Sequence, residues 1–128
     1  MQLQETDIEA YLTEAKNAVY EGRYRLERNF RRKKNRDLFI NYVIDEQKTK
    51  EILMSLTAQD FSDVVQNEHA GYEHEQLYIF GKDVMLMERF GSRIKKVPLY
   101  IKFNKLDSKI VIVISFHEQK HPLTYYFK

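Results

Sequence analysis

The sequence predicts an α+β fold, with N-terminal helices packed on one face of a C-terminal antiparallel β-sheet. Two observations predict it. Apolar residues recur at helical spacing in the first half of the chain, and from Glu75 onward they alternate with polar residues. Chains that place helices before a run of strands form layered α+β folds. A length of 128 residues fits one domain, residues 1–128, with one core.

The first predicted element is an amphipathic helix over residues 8–21. Gly22 follows it directly and is a natural C-terminal stop, because glycine adopts the left-handed conformation without strain. Residues 23–29 are interpreted as a short strand. The apolar face of the helix is expected to consist of Ile8, Tyr11, Leu12, Ala15, Ala18 and Val19.

The middle of the chain is predicted to hold a basic connection, residues 31–37, and further helices. Residues 38–44 are apolar and fit either a strand or a helix, whereas residues 45–55 fit a helix. Thr57 and Asp60 then fit a capping box, in which two side chains satisfy each other's backbone N–H groups. The helix that this box opens is expected to bury Phe61, Val64 and Val65.

The second half of the chain is predicted to form an antiparallel meander. Strand patterns begin near Glu75, Val97 and Ile110, and the last of them is apolar on both sides, as expected of a central strand. Asp107 and Ser108 fit a tight hairpin turn between the last two strands. Residues 122–128 are expected to add one more short strand.

This turn predicts a register for the last two strands, with Leu106 opposite Lys109. Three apolar pairs then share the core face, namely Leu99 with Phe116, Ile101 with Ile114, and Phe103 with Ile112. Tyr100 lies opposite Ser115, and His117 is one diagonal step away. The outer face is predicted to hold Pro98, Tyr100, Lys102, Val113, Ser115 and His117.

A phenol, an ammonium group and an imidazole on one face are suited to RNA cleavage. Attack by the 2′-hydroxyl requires a base, an acid for the 5′-oxygen, and positive charge near the transition state. His117 is the candidate acid or base, and Lys102 the candidate for stabilising phosphate charge. Tyr100 would hold a phosphate oxygen, orient the 2′-hydroxyl or stack on a base. Lys82 on the neighbouring strand is a further candidate cation.

The ordinary structural interpretation of each residue stands beside this one. A strand tyrosine such as Tyr100 commonly serves packing, because tyrosine favours strands. Lys102 fits a solvated strand residue that discourages aggregation. His117, near a strand end, fits a surface residue. The functional interpretation therefore rests on their sharing a face rather than on any one of them.

Basic residues cluster in two parts of the chain. Residues 23–36 are rich in arginine and lysine, with Glu27 as the one acid, and a second group runs from Arg93 to Lys109. Such clusters suit a polyanionic partner, although lysine-rich loops also keep small proteins in solution. The candidates for binding RNA phosphates are Arg31, Arg32, Lys33 and Lys34.

Composition excludes several classes. The chain has no cysteine, which rules out disulfides and thiolate catalysis. Its histidines lack metal-ligand spacing, so we expect no metal ion and no cofactor. No glycine-rich loop indicates a nucleotide-binding motif, and Ser115 lacks a nucleophile elbow. No apolar run is long enough to span a bilayer and the N-terminus is polar and acidic, so we expect a cytoplasmic protein without a membrane partner.

Several segments carry a family resemblance along nearly the whole chain. They are residues 15–22 (AKNAVYEG), 52–61 (ILMSLTAQDF), 99–103 (LYIKF), 113–118 (VISFHE) and 121–126 (HPLTYY). In their order and spacing, the sequence resembles the MqsR family of toxins from type II toxin–antitoxin systems, within the wider RelE-like group.

The resemblance implies a RelE-like fold and a toxin that is an endoribonuclease, or mRNA interferase. It also implies RNA as substrate and a cognate antitoxin as partner, with cleavage either alone or on the ribosome. The family's strand tyrosine would fall on Tyr100, beside Lys102. His117 stands where some members have lysine, a departure that leaves the acid and base roles open. Tyr78 and Lys82 are the candidates for a polar residue on the preceding strand, and Tyr78 and Ser115 are added to the expected RNA-binding residues.

Two other function classes fit the same residues. One is a non-catalytic nucleic-acid-binding or phage-derived regulatory module, whose basic residues 31–36 grip phosphate. The other is a structural partner protein that uses the exposed sheet face, including Tyr100, for a protein contact.

Overall fold

A computed structural model describes residues 2–27, 33–106 and 109–128. Within these residues, helices and one short strand precede a β-meander, which confirms the α+β class. The elements are α1 (Glu5–Tyr20), β1 (Tyr24–Leu26), α2 (Lys33–Asn41), α3 (Glu46–Met54), a 3₁₀ turn (Ala58–Asp60), β2 (Phe61–Gln66), β3 (Gln76–Met87), β4 (Ile94–Leu106) and β5 (Ile110–Glu118).

The strands of the described chain form one sheet in the order β1-β5-β4-β3-β2. β1 pairs with β5 in parallel, and the three remaining pairings are antiparallel. β5 therefore lies between two strands, as its two-sided apolar pattern predicted. The apolar side chains of α1, α3 and one sheet face form the core, together with Leu38 of α2.

The first and third helices form where the sequence predicts them. α1 buries the predicted stripe, and Gly22 after it has φ 78°, the left-handed conformation expected of a stop. α3 begins after Asp45, whose side chain accepts a hydrogen bond from the Lys48 backbone N–H at 2.7 Å. This N-cap satisfies one of the backbone donors that the first helical turn leaves without a partner.

Two predicted elements in the middle of the chain differ from the structure. Residues 33–37, predicted as a basic connection, begin α2, which continues to Asn41. The Thr57–Asp60 capping box forms, with the Thr57 N–H 2.9 Å from a carboxylate oxygen of Asp60, but it opens one 3₁₀ turn rather than a helix. β2 follows at once, because burial of Phe61 in the core and pairing with β3 override the local helix signal.

The C-terminal segment, residues 119–128, crosses the sheet face opposite α1 and α3 and adds no strand, contrary to prediction. Isolated hydrogen bonds, some of them from side chains, hold this segment in place of a regular β-ladder. The Gln119 side chain donates to the Leu99 carbonyl at 2.9 Å, and the Ser62 hydroxyl donates to the Thr124 carbonyl at 2.6 Å. The Tyr126 N–H reaches the Phe61 carbonyl at 3.0 Å, so the segment ends at the edge strand β2.

Gly81 of β3 makes this crossing possible. A β-carbon built at Gly81 would lie 2.6 Å from Leu123 Cδ1 and 2.6 Å from the Tyr125 hydroxyl. A larger residue would therefore displace the ends of these two side chains, which pack on the sheet at this point. Separately, no helix in the described part of the chain has the length and apolar character needed to cross a membrane.

Candidate functional site

The β4–β5 hairpin departs from its predicted register but keeps the predicted polar group together. Near the turn Leu106 pairs with Ile110, not Lys109, and farther along Lys102 pairs with Ser115 and Tyr100 with His117. The predicted turn residues Asp107 and Ser108 lie outside the described residues. Between the turn and Phe103 the register is shifted by one residue from the prediction. From Lys102 to Leu99 it is shifted by two, which returns the side chains there to the predicted face.

A β-bulge at Ile114 adds the second residue of this shift. Phe103 pairs with Val113 and Lys102 with Ser115, so Ile114 is an extra residue in β5. Val111 and Val113, on the turn side of the bulge, are buried in the core, whereas Ile110 is exposed and Ile112 and Ile114 are only partly buried. The prediction that Ile112 and Ile114 face the core and Val113 faces out was therefore wrong. The predicted core positions Leu99, Ile101, Phe103 and Phe116 are confirmed.

Beyond the bulge, Tyr100 and His117 lie side by side on the outer face. Their ring centroids are 5.0 Å apart and their planes differ by 8°, so the phenol and the imidazole are stacked. His117 Nδ1 lies 2.9 Å from the Glu118 carbonyl oxygen, which can only accept a hydrogen bond. The Nδ1–H tautomer follows for the neutral ring, and it leaves Nε2 as the basic nitrogen.

These strands form the floor of a cleft of about 650 Å³. The N-terminal end of α2 forms one wall and the C-terminal segment forms the other. The cleft is lined by Lys33, Lys34, Asn35, Tyr100, Lys102, Ser115, His117, Lys120, His121, Pro122 and Leu123.

The charge of this lining has one sign. Four lysines and two histidines line the cleft, and among the described residues no carboxylate does. Lys33 at the rim also pairs with Asp37 across one helical turn, at 2.8 Å. A concave surface with this lining attracts a polyanion and raises its local concentration.

Tyr100 carries a neutral phenol in this setting. Partial burial raises the pKa of Tyr100 above its ordinary value, and the negative charge of Asp63 raises it further. Asp63 is on β2, two strands away, and pairs with Ile79 of the intervening strand. The phenol therefore remains a hydrogen-bond donor throughout the physiological pH range.

Two of the predicted site residues lie elsewhere. Lys82 pairs in register with Leu99 on the helix-bearing side of the sheet, and its ammonium group lies 3.7 Å from Asp60. Tyr78 is on the same side, where its ring stacks on Tyr11 of α1 with centroids 3.8 Å apart. The expectation that Lys82 and Tyr78 join the polar face was wrong, because β3 places these residues in phase with Phe80, which is fully buried in the core.

The other predicted residues fall as follows. Tyr100, Lys102, Ser115 and His117 share the floor of the cleft, and Lys33 and Lys34 line its α2 wall. Arg31 and Arg32 lie outside the described residues. The catalytic and RNA-binding roles assigned to all of them stay predictions.

Sequence reasoning missed part of the lining. Pro122 and Leu123 were predicted as part of a short strand, Asn35 as part of the basic connection, and Lys120 and His121 were given no role in the site; all five line the cleft. The one signal available in the sequence was that residues 117–121, just before Pro122, contain two histidines and a lysine. Among the described residues, no group of three or more histidine, aspartate or glutamate side chains could hold a metal ion.

Comparison of the chain with family models, with curated proteins and with solved structures gave no match. The resemblance to the MqsR family therefore stays a prediction. What bears on function is the geometry and the charge of the cleft.

Proposed function

We propose that the chain is an endoribonuclease of the toxin type, which cleaves single-stranded RNA by 2′-hydroxyl attack without a metal ion. The observation that carries the proposal is the cleft, where a stacked tyrosine–histidine pair lies among four lysines and where no described residue contributes a carboxylate. Magnesium sites are built from carboxylate oxygens, which this part of the lining does not offer. Cationic side chains would take the metal's electrostatic role instead.

His117 is the proposed base. With Nδ1–H donated to the Glu118 carbonyl, Nε2 accepts the proton of the 2′-hydroxyl. The 2′-oxygen then attacks phosphorus, the bond from phosphorus to the 5′-oxygen breaks, and a 2′,3′-cyclic phosphate forms. His121, which lines the cleft on the C-terminal wall, donates a proton to the departing 5′-oxygen in its imidazolium form. The products are a cyclic phosphate end and a 5′-hydroxyl end.

The remaining groups stabilise charge and orient the phosphate. Lys102 lies on the floor, paired in register with Ser115, which suits it to the non-bridging oxygens of the transition state. Tyr100 donates a hydrogen bond from its neutral phenol to the same phosphate. Lys33 and Lys34 bind neighbouring phosphates of the strand along the α2 wall.

The cellular part of the proposal comes from the resemblance. It comprises mRNA as substrate, a cytoplasmic location, a cognate antitoxin that silences the chain, and the ribosome as a further partner. Expression of the chain alone should arrest growth and shorten cellular RNA. Co-expression with the product of the adjacent gene should restore growth. Normal growth with intact RNA, in cells and in a purified assay, would contradict the toxin role.

A chemical test isolates the mechanism. The purified chain is incubated with total RNA and then with a short synthetic RNA that spans a mapped cut. The same oligonucleotide with one 2′-deoxy residue at the cut should resist cleavage, and the RNA product should carry a 2′,3′-cyclic phosphate. His117→Ala should abolish cleavage while His69→Ala, an exposed histidine between β2 and β3, should not. Cleavage of the 2′-deoxy substrate, or unchanged cleavage by His117→Ala, would exclude the mechanism.

A non-catalytic nucleic-acid-binding module is the second candidate. The lysines of the α2 wall favour it, because phosphate binding requires charge without an acid or base. The two candidates separate at His117. A binding module would retain RNA affinity in His117→Ala and would leave RNA intact at every enzyme concentration.

A further inference from the structure

Asn35 is a buried amide whose side chain bonds to three backbone groups. The residue is 1% exposed. Nδ2 donates to the Glu27 carbonyl at 2.7 Å and to the Ile114 carbonyl at 2.9 Å. Oδ1 accepts from the Phe116 N–H at 2.8 Å. Two of these three hydrogen bonds therefore go to the backbone of β5, one on each side of Ser115.

The stretch that Asn35 holds is the bulge of β5. If Ile114 paired regularly instead of bulging, alternation from Val111 and Val113 would direct Ser115 and His117 into the core. With the bulge, Phe116 enters the core instead, and Ser115 and His117 lie on the cleft side. The bulge thus decides on which side of the sheet the proposed base lies.

Asn35 also lies where the described pairing of β1 with β5 ends. That pairing extends to Leu26 and Val113, and the Glu27 N–H adds one more bond, to the Val113 carbonyl at 3.1 Å. The next two groups along that edge are the Ile114 carbonyl and the Phe116 N–H. Both are satisfied by the Asn35 amide, which continues the ladder with a side chain.

We propose that Asn35 is a positioning residue, which holds the β5 bulge and thereby sets the orientation of Ser115 and His117 in the cleft; this inference rests on the proposed function. Asn35 touches no reacting atom in this scheme. It also ties α2, which carries Lys33 and Lys34, to the strand that carries the base. One side chain therefore fixes the phosphate-binding wall and the catalytic floor relative to each other.

The test compares Asn35→Leu, which keeps the number and branching of the side-chain heavy atoms and removes all three bonds, with Asn35→Ser, a smaller residue that offers one hydroxyl. Thr49→Val is the matched control, because Thr49 is also buried and donates a side-chain bond to a backbone carbonyl, that of Asp45 at 2.9 Å, away from the cleft. Each variant is measured below its unfolding midpoint. For the same loss in the free energy of unfolding, both Asn35 variants should lower kcat by about 100-fold, with a smaller change in KM. Thr49→Val should leave kcat and KM near their wild-type values.

Backbone NMR separates this inference from the proposed function. In the Asn35 variants, the amide resonances of Ser115 and His117 should shift while those of β2 stay in place. Equal kinetic effects in Thr49→Val and the Asn35 variants, or unmoved β5 resonances, would overturn the positioning role. If the wild-type chain cleaves no RNA, the proposed function fails, and a β5 shift in the same spectra still supports the structural part of the inference.

A measurement on the unaltered protein covers the case in which the variants do not fold. The side-chain amide protons of Asn35 and the Phe116 N–H should exchange with solvent as slowly as the core amides of β4, since both are bonded and buried. Fast exchange at both groups would overturn the proposal.

Discussion

The imidazole of His117 stacks on the phenol of Tyr100, with ring centroids 5.0 Å apart and planes within 8° of parallel. The two residues are direct register partners across β4 and β5, so the backbone ladder fixes their spacing. In this face-to-face arrangement the hydroxyl group of Tyr100 and the ring nitrogens of His117 lie at the edges of the stack. A phosphate in the cleft can then meet both groups at once.

Tyr100→Phe tests the contribution of the Tyr100 hydroxyl separately from that of the ring stacking. The phenylalanine ring keeps the contact with His117, so binding and folding should change little, whereas loss of the hydroxyl donor should lower kcat by about 100-fold. His117→Ala should lower kcat by about 10² to 10⁴-fold, because the base itself is removed. Single-turnover cleavage rates measure both, and a Tyr100→Phe enzyme with wild-type kcat would remove Tyr100 from the mechanism.

Salt dependence tests the α2 wall. Lys33→Gln combined with Lys34→Gln should weaken single-stranded RNA binding and flatten the plot of log K against log salt by about 0.7 for each phosphate that is no longer neutralised. The double variant Lys48→Gln with Lys50→Gln is the control. Lys50 also pairs with an acid one helical turn away, Glu46 at 3.9 Å, and its helix, α3, packs against α1 rather than beside the cleft. Equal slopes for both double variants would show that α2 does not bind RNA phosphates.

Gly81→Ala tests how the C-terminal segment, residues 119–128, packs on the sheet. The new methyl group would lie 2.6 Å from the ends of the Leu123 and Tyr125 side chains, which must shift, so we expect a loss of about 1 kcal/mol in the free energy of unfolding. Leu123→Ala removes one of the two obstacles, and the two changes should be non-additive by at least about 0.5 kcal/mol in a double-mutant cycle. Urea denaturation gives the free energy of unfolding for every member of the cycle. Strict additivity would mean that the segment does not rest on Gly81.

Alkaline stability tests the buried phenol of Tyr11, whose hydroxyl has no hydrogen-bond partner among the residues that the structure describes. Burial raises the pKa of Tyr11 strongly, and the charges of Tyr78 and Glu14 add to the effect. A raised folded-state pKa means that stability is complete below the unfolded value of about 10 and falls above it, here by roughly 1.4 kcal/mol per pH unit.

Tyr11→Phe should remove that alkaline loss and should raise stability at pH 7 by about 1 kcal/mol, since an unbonded buried hydroxyl is removed. Tyr20→Phe is the matched control, because Tyr20 is 79% exposed on the same helix. Urea midpoints between pH 7 and pH 11 measure the effect. Parallel curves for wild type and Tyr11→Phe would contradict the assignment.

The sequence was sufficient to predict the core positions of β4 and the shared face of Tyr100, Lys102, Ser115 and His117. Leu99, Ile101 and Phe103 alternate so cleanly with polar neighbours that only one face of β4 can be buried. The predicted partner of Tyr100 was wrong, but the error was an even number of residues, which leaves faces unchanged.

The remaining features depend on contacts that local patterns do not encode. The Ile114 bulge is held by Asn35, a residue far away in sequence, and β5 is apolar on both sides, so no alternation indicates it. β3 has the same ambiguity, since Leu77 and Ile79 are buried on one face and Phe80 on the other, which is why Lys82 was assigned to the wrong side. Residues 119–128 are held by hydrogen bonds to β2 and β4 and by side-chain packing over Gly81, which are tertiary contacts.

The parallel pairing of β1 with β5 has a consequence for how the molecule assembles. Tyr24, near the start of the chain, pairs with Val111, and strands β2 to β4 all lie between them in the sequence. Closing so long a loop is costly in entropy, and proteins dominated by such distant contacts cross their folding barrier slowly. The ladder that ends in the Asn35 bonds should therefore form late. Under the proposed function, a chain that is still folding would then not cleave RNA until this edge of the sheet has formed.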